Sequence, residues 1–393
     1  MAAAPGDGPP SGARLLTGPF LALVLAELAY FVGIGALIPL VPVYAADRLA
    51  AGPLVVGLTV ATFSLTALVL RPAAGRVVDR WGPRRPFVGA SLLLAVVLVA
   101  HTQAGSVPVL LLLRALTGVA EAIVFVAGMA VLLHVAPRQR RGEALSYSSL
   151  SLFVGIALGP ALGERLVDLG GYRTAWLGVA ALGVLAAAVG TALPGARPEE
   201  PPDGAAPLFP RAVRLPGLAF VVGMVGSAGF LAFAALRARE VGLDGAGWPL
   251  ALYGGVVVAG RLLLARLTDR YAATRLSAAA LVLSGAGLVL LGLAGGAWAF
   301  AAGTVVLALG AVLLTPAFFR LLTERLPDGR PGAVGATFGV LVDVGLGAGP
   351  LVLGLLAQGR GLASAFVALG AATVGVVLLL RAGARPAGAT PPR

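Results

Sequence analysis

The chain has 393 residues, of which 59% are apolar and only 12% are charged, and its mean hydropathy is +0.96. Soluble domains carry about 25% charged residues, so this composition excludes a water-soluble globular protein and indicates a polytopic membrane protein. All 29 basic residues are arginines and the net charge is +12, an excess typical of cytoplasmic membrane-protein loops rather than of nucleic-acid binding. Cysteine is absent, which excludes disulfides and thiolate metal sites.

Apolar runs of bilayer length follow one another along the whole chain. A membrane-spanning helix needs about 20 apolar residues. The runs, separated by charged or Pro/Gly-rich breaks, are residues 19–43, 54–74, 87–104, 108–133, 144–163, 174–193, 217–236, 248–265, 276–295, 297–319, 332–356 and 361–380. The sequence therefore predicts an all-α membrane protein of about twelve transmembrane helices.

The distribution of arginine predicts the orientation. With both termini in the cytoplasm, the cytoplasmic segments hold 21 arginines and the outer loops hold 6, as the positive-inside rule requires. A proline-dense polar interval predicts a cytoplasmic linker between two six-helix bundles. The predicted organisation is a tail at 1–18, a bundle at 19–193, the linker at 194–216, a second bundle at 217–381 and a tail at 382–393.

The two bundles share an internal repeat with a constant offset of 190 residues. The matching pairs are 71–80 with 261–270, 137–142 with 327–332, and 155–160 with 345–350. Because six helices cross the membrane an even number of times, both halves have the same orientation. Such a parallel repeat predicts a substrate site at the interface between the halves.

Three motifs resemble those of the major facilitator superfamily, and the resemblance covers essentially the whole chain. The loop Gly75-x-x-x-Asp79-Arg80-x-Gly82-x-Arg84-Arg85 resembles its signature loop between the second and third helices. Arg114-x-x-x-Gly118 resembles its fourth-helix arginine motif, and Gly155-x-x-x-Gly159-Pro160-x-x-Gly163 resembles the antiporter motif of its drug:proton exporters. The resemblance implies a transporter that works by alternating access.

The resemblance also implies a gating function for the signature loop (Gly75, Asp79, Arg80, Gly82, Arg84 and Arg85). In this function Asp79 forms charge-assisted pairs with a neighbouring helix and holds the inner side in one conformation. The second copy supplies Asp269 and Arg270 but has Ala265 and Ala272 in place of two glycines, so we expect the first loop to make the stronger contact. The alternative is a topology signal combined with a tight turn.

Gly155, Gly159 and Gly163 fall on one face of a helix, and small residues on one face let two helix backbones approach closely. Pro160 removes a backbone donor and bends a helix. Gly349 and Pro350 repeat the pattern in the second half. The motif predicts a bend and a close contact between the halves, with ordinary small-residue packing as the alternative.

Four ionisable residues lie within apolar runs: Glu27, Arg114, Glu121 and Asp343. A charge at mid-bilayer costs about 2.5–3.5 kcal/mol, so such residues are functional candidates. At the repeat offset they meet uncharged residues, namely Gly217, Thr304, Ala311 and Phe153. We interpret the repeated residues as scaffold and gate, and the unrepeated charges as the site.

A site that combines buried carboxyls with an arginine can take up and release a proton, because burial favours the protonated carboxyl and the arginine favours the ionised one. We hypothesise that Glu27 and Glu121 carry the proton, with Arg114 as their fixed positive partner. Asp343 is then a third carrier or a contact for a cationic substrate. The alternatives are a structural pair for Arg114, a packing hydrogen bond for Asp343 and an interfacial position for Glu27.

Aromatic and arginine side chains near these positions have two interpretations. Tyr30, Phe31 and Phe125 either line the cavity or pack against lipid or core. Arg71 and Arg261 are interpreted as structural residues whose long side chains snorkel to the inner membrane surface.

The sequence as a whole predicts a proton-coupled exporter of a small organic solute in a bacterial inner membrane. We expect a monomer that contacts solute, protons and lipid, binds no nucleic acid, and needs no cofactor or metal because the proton gradient supplies the energy. The sequence contains no catalytic motif, so we do not expect an enzyme. The alternatives are a proton symporter or uniporter of a sugar or metabolite, and, from another class, a membrane-embedded enzyme or a non-transporting receptor.

Overall fold

The computed structural model describes residues 15–137, 140–195, 211–243, 247–263, 271–325 and 331–383. In these ranges every regular element is an α-helix. The first half contains α1 (Gly18–Leu49), α2 (Pro53–Trp81), α3 (Arg84–His101), α4 (Val107–Val135) and α5 (Arg141–Gly190). The second half contains α6 (Arg211–Glu240), α7 (Trp248–Leu263), α8 (Ala273–Leu293), α9 (Ala297–Arg325) and α10 (Pro331–Gly383).

The helices have the length and surface of membrane-spanning segments. Nine of those that the structure describes are long and apolar enough to cross a bilayer, and α7 is a shorter apolar helix. Large apolar side chains point outward, such as Leu263 and Trp298, which are 80% and 90% exposed. Within a bilayer the backbone must satisfy its own hydrogen bonds, which a helix does. The prediction of an all-α membrane protein is confirmed.

Two long helices are interrupted by glycines at equivalent positions of the repeat. Gly171 in α5 has φ +71° and Gly361 in α10 has φ +78°, a region that favours glycine. In α5 the chain turns back on itself, because the side chain of Leu166 lies beside Gly178. The two segments of α5 correspond to the predicted helices 144–163 and 174–193, and those of α10 to 332–356 and 361–380.

The second half begins inside the predicted linker. Helix α5 ends at Gly190 and α6 begins at Arg211, whereas the linker was expected to run from 194 to 216. Residues 211–215 read Arg-Ala-Val-Arg-Leu, and most of them are good helix formers. The middle of the predicted linker, 196–210, lies outside the described residues.

Each half has its own buried core. One hydrophobic cluster lies entirely within the first half and includes Tyr30, Phe87 and Trp176. The larger cluster is built mainly by the second half and extends onto first-half residues such as Ala45 and Val56. The second cluster therefore also holds the two halves together.

Two seams join the halves. We call the side at which α1 begins the proximal side and the opposite side distal. In the α2–α10 seam, Gly57 lies against the carbonyl of Pro350, and Gly347 lies against Leu65 further from the distal side. A Cβ on Gly57 would overlap the Pro350 carbonyl oxygen, so the two backbones are in direct contact.

The α5–α7 seam repeats this arrangement with the halves exchanged. Gly247 lies beside the backbone of Pro160, and Gly254 lies against Ala157. Gly247 and Pro160 are the repeat equivalents of Gly57 and Pro350. The seams are thus related by the internal repeat.

Polar contacts also join the two halves on the distal side. Arg239 at the end of α6 forms an ion pair with Asp47 at the end of α1, with a nitrogen–oxygen distance of 2.9 Å. The backbone N–H of Gly247 donates to Oε2 of Glu164 at 2.9 Å. Both contacts join the two halves, so the structure is a conformation closed on its distal side.

Candidate functional site

The α2–α10 seam ends in an ion pair between the halves. Arg71 Nη1 lies 2.6 Å from Asp343 Oδ2, and the two side chains are 23% and 9% exposed. The guanidinium also lies 4.1 Å from the centre of the Phe125 ring on α4, which is cation–π geometry. Arg71 is therefore held inside the protein, contrary to the expectation that its side chain snorkels to the membrane surface.

Glu121 on α4 brings a second carboxyl to the same arginine. It lies within electrostatic range of Arg71 and of Asp343, and its Oε2 is buried without a hydrogen-bond partner in the described part of the chain. The hydroxyl of Tyr30 faces Glu121, and Tyr30 is fully buried. Arg71 thus pairs with a carboxyl of the second half and lies within electrostatic range of a carboxyl of the first.

Glu27 is the third carboxyl of this group. It is 7% exposed and accepts a hydrogen bond of 2.5 Å from the Ser148 hydroxyl on α5. Its other oxygen, Oε1, faces Gly128 on α4, and the carboxyl lies within electrostatic range of Glu121. Glu27 is a buried acid, so its interfacial interpretation is wrong. We call Glu27, Glu121, Arg71 and Asp343 the charge array.

Arg114 does not pair with these acids in this conformation. It is 4% exposed, its Nε donates to the carbonyl of Thr59 at 3.1 Å, and its guanidinium lies 4.7 Å from the Phe63 ring centre. It forms no ion pair with a described residue. Seven residues of helix separate it from Glu121, which is about 10 Å along the axis. Arg71, rather than Arg114, is therefore the cation beside these acids.

The aromatic residues predicted to line a cavity have separate environments. Tyr30 and Phe125 contact members of the charge array. The backbone and Cβ of Phe31 lie against Gly155, so Phe31 belongs to a helix–helix contact. Its ring packs edge-on against Tyr30, with 5.6 Å between the ring centres.

The glycines of the antiporter-like motif pack within one half. Gly155, Gly159 and Gly163 lie against α1, where a Cβ on Gly159 would overlap the Gly35–Ala36 backbone. Gly349 packs on α6 in the same way. The expected close approach of two backbones is confirmed, but the glycines join helices of the same half, not the two halves.

The prolines of that motif do reach the seams between the halves. Pro160 and Pro350 lie beside Gly247 and Gly57 of the opposite half. Helix α5 continues through Pro160, and its non-helical backbone angles lie at Gly170 and Gly171 instead. A glycine with positive φ interrupts the helix where the proline does not.

The signature loop forms the tight turn that the sequence predicts. Gly82 has φ +72° between α2 and α3, and Gly75 has open space beside it. The charged members are exposed, namely Asp79, Arg80, Arg84 and Arg85. Asp79 forms no ion pair within the described residues. Asp269 and Arg270 of the second copy lie outside the described residues.

Sequence reasoning missed Arg71 and Ser148. Arg71 lies ten residues before the end of α2 at Trp81, about 15 Å from the proximal end. This depth exceeds the reach of a snorkelling side chain. The sequence did not show it, because the apolar run ends at residue 74 whereas α2 continues to Trp81. Nothing in the sequence distinguishes Ser148 from other helix serines.

Comparison with known proteins places this geometry in context. A family model described as Major Facilitator Superfamily matches residues 23–237 and 215–393. An uncharacterized MFS-type transporter of Salmonella typhimurium is 27% identical over 366 residues, which cover 88% of this chain and 93% of that protein. Multidrug resistance protein 1 of Bacillus subtilis is 28% identical over 65% of this chain and 66% of its own length.

Solved structures resemble the whole chain. A bacterial homologue of the human lysosomal transporter Spinster, in an inward-facing and unoccupied conformation, has a TM-score of 0.72 at 18% identity and covers 95% of this chain and 96% of its own. A variant of the nucleoside transporter NupG has a TM-score of 0.76 at 11% identity, with 95% and 100% coverage. Because the sequence identities are only 18% and 11%, these structural similarities show a shared fold and not a shared substrate.

Proposed function

The chain belongs to the major facilitator superfamily, and on this premise we propose that it exports a small organic solute in exchange for protons by alternating access. It is a membrane transporter and not an enzyme. We further propose twelve crossings of the bacterial inner membrane in two six-helix bundles, of which the second begins with α6 at Arg211. Both termini then face the cytoplasm, so the proximal side is the cytoplasmic side.

The charge array is the observation that carries this proposal. Two carboxyls of the first half and one of the second share a region with a single arginine, across a seam between the halves. Ionised residues at such depth are expensive and mark ion pathways. When Asp343 takes a proton it loses its charge, and its attraction for Arg71 falls. Proton uptake then weakens a contact between α2 and α10, which couples protonation to movement of the halves.

Export is the direction that the relatives and the motif favour. The Bacillus subtilis relative is named as a multidrug resistance protein, and the glycine–proline motif resembles that of drug:proton exporters. This chain spans slightly less than two thirds of that relative's length. We extend the direction of transport to this chain as part of the proposal.

The proposal is tested by replacing the two first-half carboxyls. Uptake of ethidium or carboxyfluorescein into proteoliposomes is measured with and without a pH gradient of either sign. We expect the unmodified protein to accumulate a dye inside the vesicles only when the pH gradient drives protons out of them. Glu27→Gln and Glu121→Gln each remove a proton carrier, so gradient-driven uptake falls to the level of protein-free liposomes.

Asp168→Asn is the matched control, because Asp168 is exposed near the distal turn of α5, and it retains uptake. Unchanged gradient-driven uptake in both glutamine variants would refute proton coupling through these carboxyls. Accumulation along the direction of proton flow would instead identify a symporter.

Asp79→Ala is expected to abolish dye transport while leaving the amount of folded protein unchanged. Asp79 lies in the last turn of α2, where the helix dipole disfavours a carboxylate by about 0.3–1 kcal/mol. We propose that Asp79 pairs with the other half when the proximal side closes.

The amount of folded protein is measured by size-exclusion chromatography in detergent, and transport by the dye assay. Asp168→Ala is the matched control. Full transport by Asp79→Ala would remove the gating proposal and leave the proposal for the charge array untouched.

A further inference from the structure

Arg261 is the repeat equivalent of Arg71, yet its surroundings differ. It lies on α7 at the inner end of the α5–α7 seam, with its guanidinium 3.9 Å from the centre of the Phe153 ring on α5. Its Nε is buried and has no hydrogen-bond partner within the part of the chain that the structure describes. It forms no ion pair with any residue that the structure describes.

The ion-pair partner of Arg71 and the second carboxyl within its electrostatic range have no counterpart here. Phe153 stands at the position equivalent to Asp343, and Ala311 stands at the position equivalent to Glu121. The repeat therefore keeps the arginine in both halves and keeps its acids in only one. A partly buried cation in an apolar helix that lacks a counter-ion among the described residues is costly, which makes it a functional candidate.

Two further hydroxyl donors lie in this part of the second half, one on α7 eight residues before Arg261 and one on α6. Tyr253, 6% exposed, is within electrostatic range of the guanidinium and faces Ser227 on α6. Ser227 is 4% exposed, and its Oγ is buried without a hydrogen-bond partner among the described residues. The equivalents of these residues in the first half are Phe63 and Leu37, which cannot donate. The hydroxyls are thus specific to the half whose arginine lacks an acid.

We propose that Arg261, Tyr253 and Ser227 form the subsite for an anionic group of the solute, and that Phe153 packs against an aromatic or apolar part of it. The guanidinium offers a planar set of donors that matches a carboxylate, sulfonate or phosphate, and the hydroxyls supply further donors. The solute class is an amphiphilic organic anion. This inference rests on the proposed transport function and identifies its substrate class.

The test is equilibrium binding to the purified protein in nanodiscs without a pH gradient. Fluorescence polarisation measures three anionic probes, carboxyfluorescein, a sulfonated pyrene and a pyrene phosphate, with ethidium as the cationic probe. We expect at least one anion to bind, and Arg261→Gln to weaken its binding by about tenfold or more, since a hydrogen bond to a charged group is lost. Arg261→Lys keeps the charge and retains part of the affinity. Ser227→Ala and Tyr253→Phe have smaller effects in the same direction.

Arg275→Gln is the matched control, because Arg275 is an exposed arginine on α8 outside the seam, and it leaves anion binding unchanged. Failure of all three anions to bind the unmodified protein would overturn the proposal. Equal anion affinity in Arg261→Gln and unmodified protein would also overturn it, as would an equal loss of ethidium and anion binding. If Arg261→Gln does not fold, Arg261→Lys and Tyr253→Phe decide.

The result of this binding test does not depend on whether the transport proposal is correct. Binding without a gradient requires neither proton coupling nor a direction of transport. Loss of gradient-driven uptake in the Glu27 and Glu121 variants with intact anion binding would leave the subsite standing. Anion binding that does not depend on Arg261, together with intact proton coupling, would remove the subsite alone.

Discussion

Asp343→Asn is expected to abolish gradient-driven transport and to lower the free energy of unfolding by about 1–3 kcal/mol. Removing one partner of a fully buried ion pair costs about 3–5 kcal/mol, because the other charge is left uncompensated. The loss is smaller here because Arg71 is 23% exposed and Glu121 remains within electrostatic range. The measurements are dye uptake in proteoliposomes and denaturant unfolding in detergent.

A double-mutant cycle with Arg71→Gln separates the ion pair from other effects of each change. We expect the double variant to be more stable than the sum of the single losses predicts, since it removes both partners of the ion pair together. Glu324→Gln is the matched control. It breaks an ion pair with Arg320 whose side chains are 46% and 39% exposed, and such pairs contribute about 0–1 kcal/mol. Additive losses in the cycle would contradict a direct Arg71–Asp343 interaction.

Gly159→Ala is expected to destabilise the protein by about 1–3 kcal/mol, the usual cost of overpacking a well-packed contact. The new Cβ would overlap the backbone of α1 at Gly35 and Ala36, so α1 and α5 must move apart. Gly349→Ala is expected to act in the same direction, because its Cβ would overlap atoms of Ala228 and Val225 on α6. Thermal unfolding in detergent is the measurement.

In the control for this prediction, no loss of stability is expected. Gly89 lies inside α3 with no atom near its Cβ position, and alanine is favoured over glycine within a helix by about 1 kcal/mol. Gly89→Ala is therefore expected to be neutral or stabilising. A Gly159→Ala protein as stable as Gly89→Ala would mean that α1 and α5 are not in backbone contact.

Helices were predictable from the sequence because each crossing requires its own apolar run. The signature-loop turn at Gly82 was also predictable, since a Gly-Pro pair between two long apolar runs leaves little alternative. The early start of α6 at Arg211 was not, because the proline content of the preceding residues indicated irregular structure. Local propensity decided that boundary, whereas the prediction relied on proline density.

The ion-pair partners were not predictable. Hydropathy identified Glu27, Glu121 and Asp343 as embedded charges, and the structure brings them into electrostatic range of one another. The sequence assigned their cation to Arg114, which shares a helix with Glu121. The cation beside them is Arg71, because contact with Asp343 depends on how α2 packs against α10 across the seam. Repeat symmetry relates residues between halves but carries no information about which of them touch.

The backbone contact of Gly57 with Pro350 has a mechanical consequence. It lies 24 residues from Trp81 along α2, a length of about 36 Å for a straight helix. If this contact acts as the pivot of the α2–α10 pair, each degree of rotation moves the Trp81 end by about 0.6 Å. The Arg71–Asp343 pair lies partway along this lever arm, where the same rotation moves it by little more than half as much. With this pivot, a separation of the ion pair is accompanied by a movement about 1.7 times as large at the signature loop.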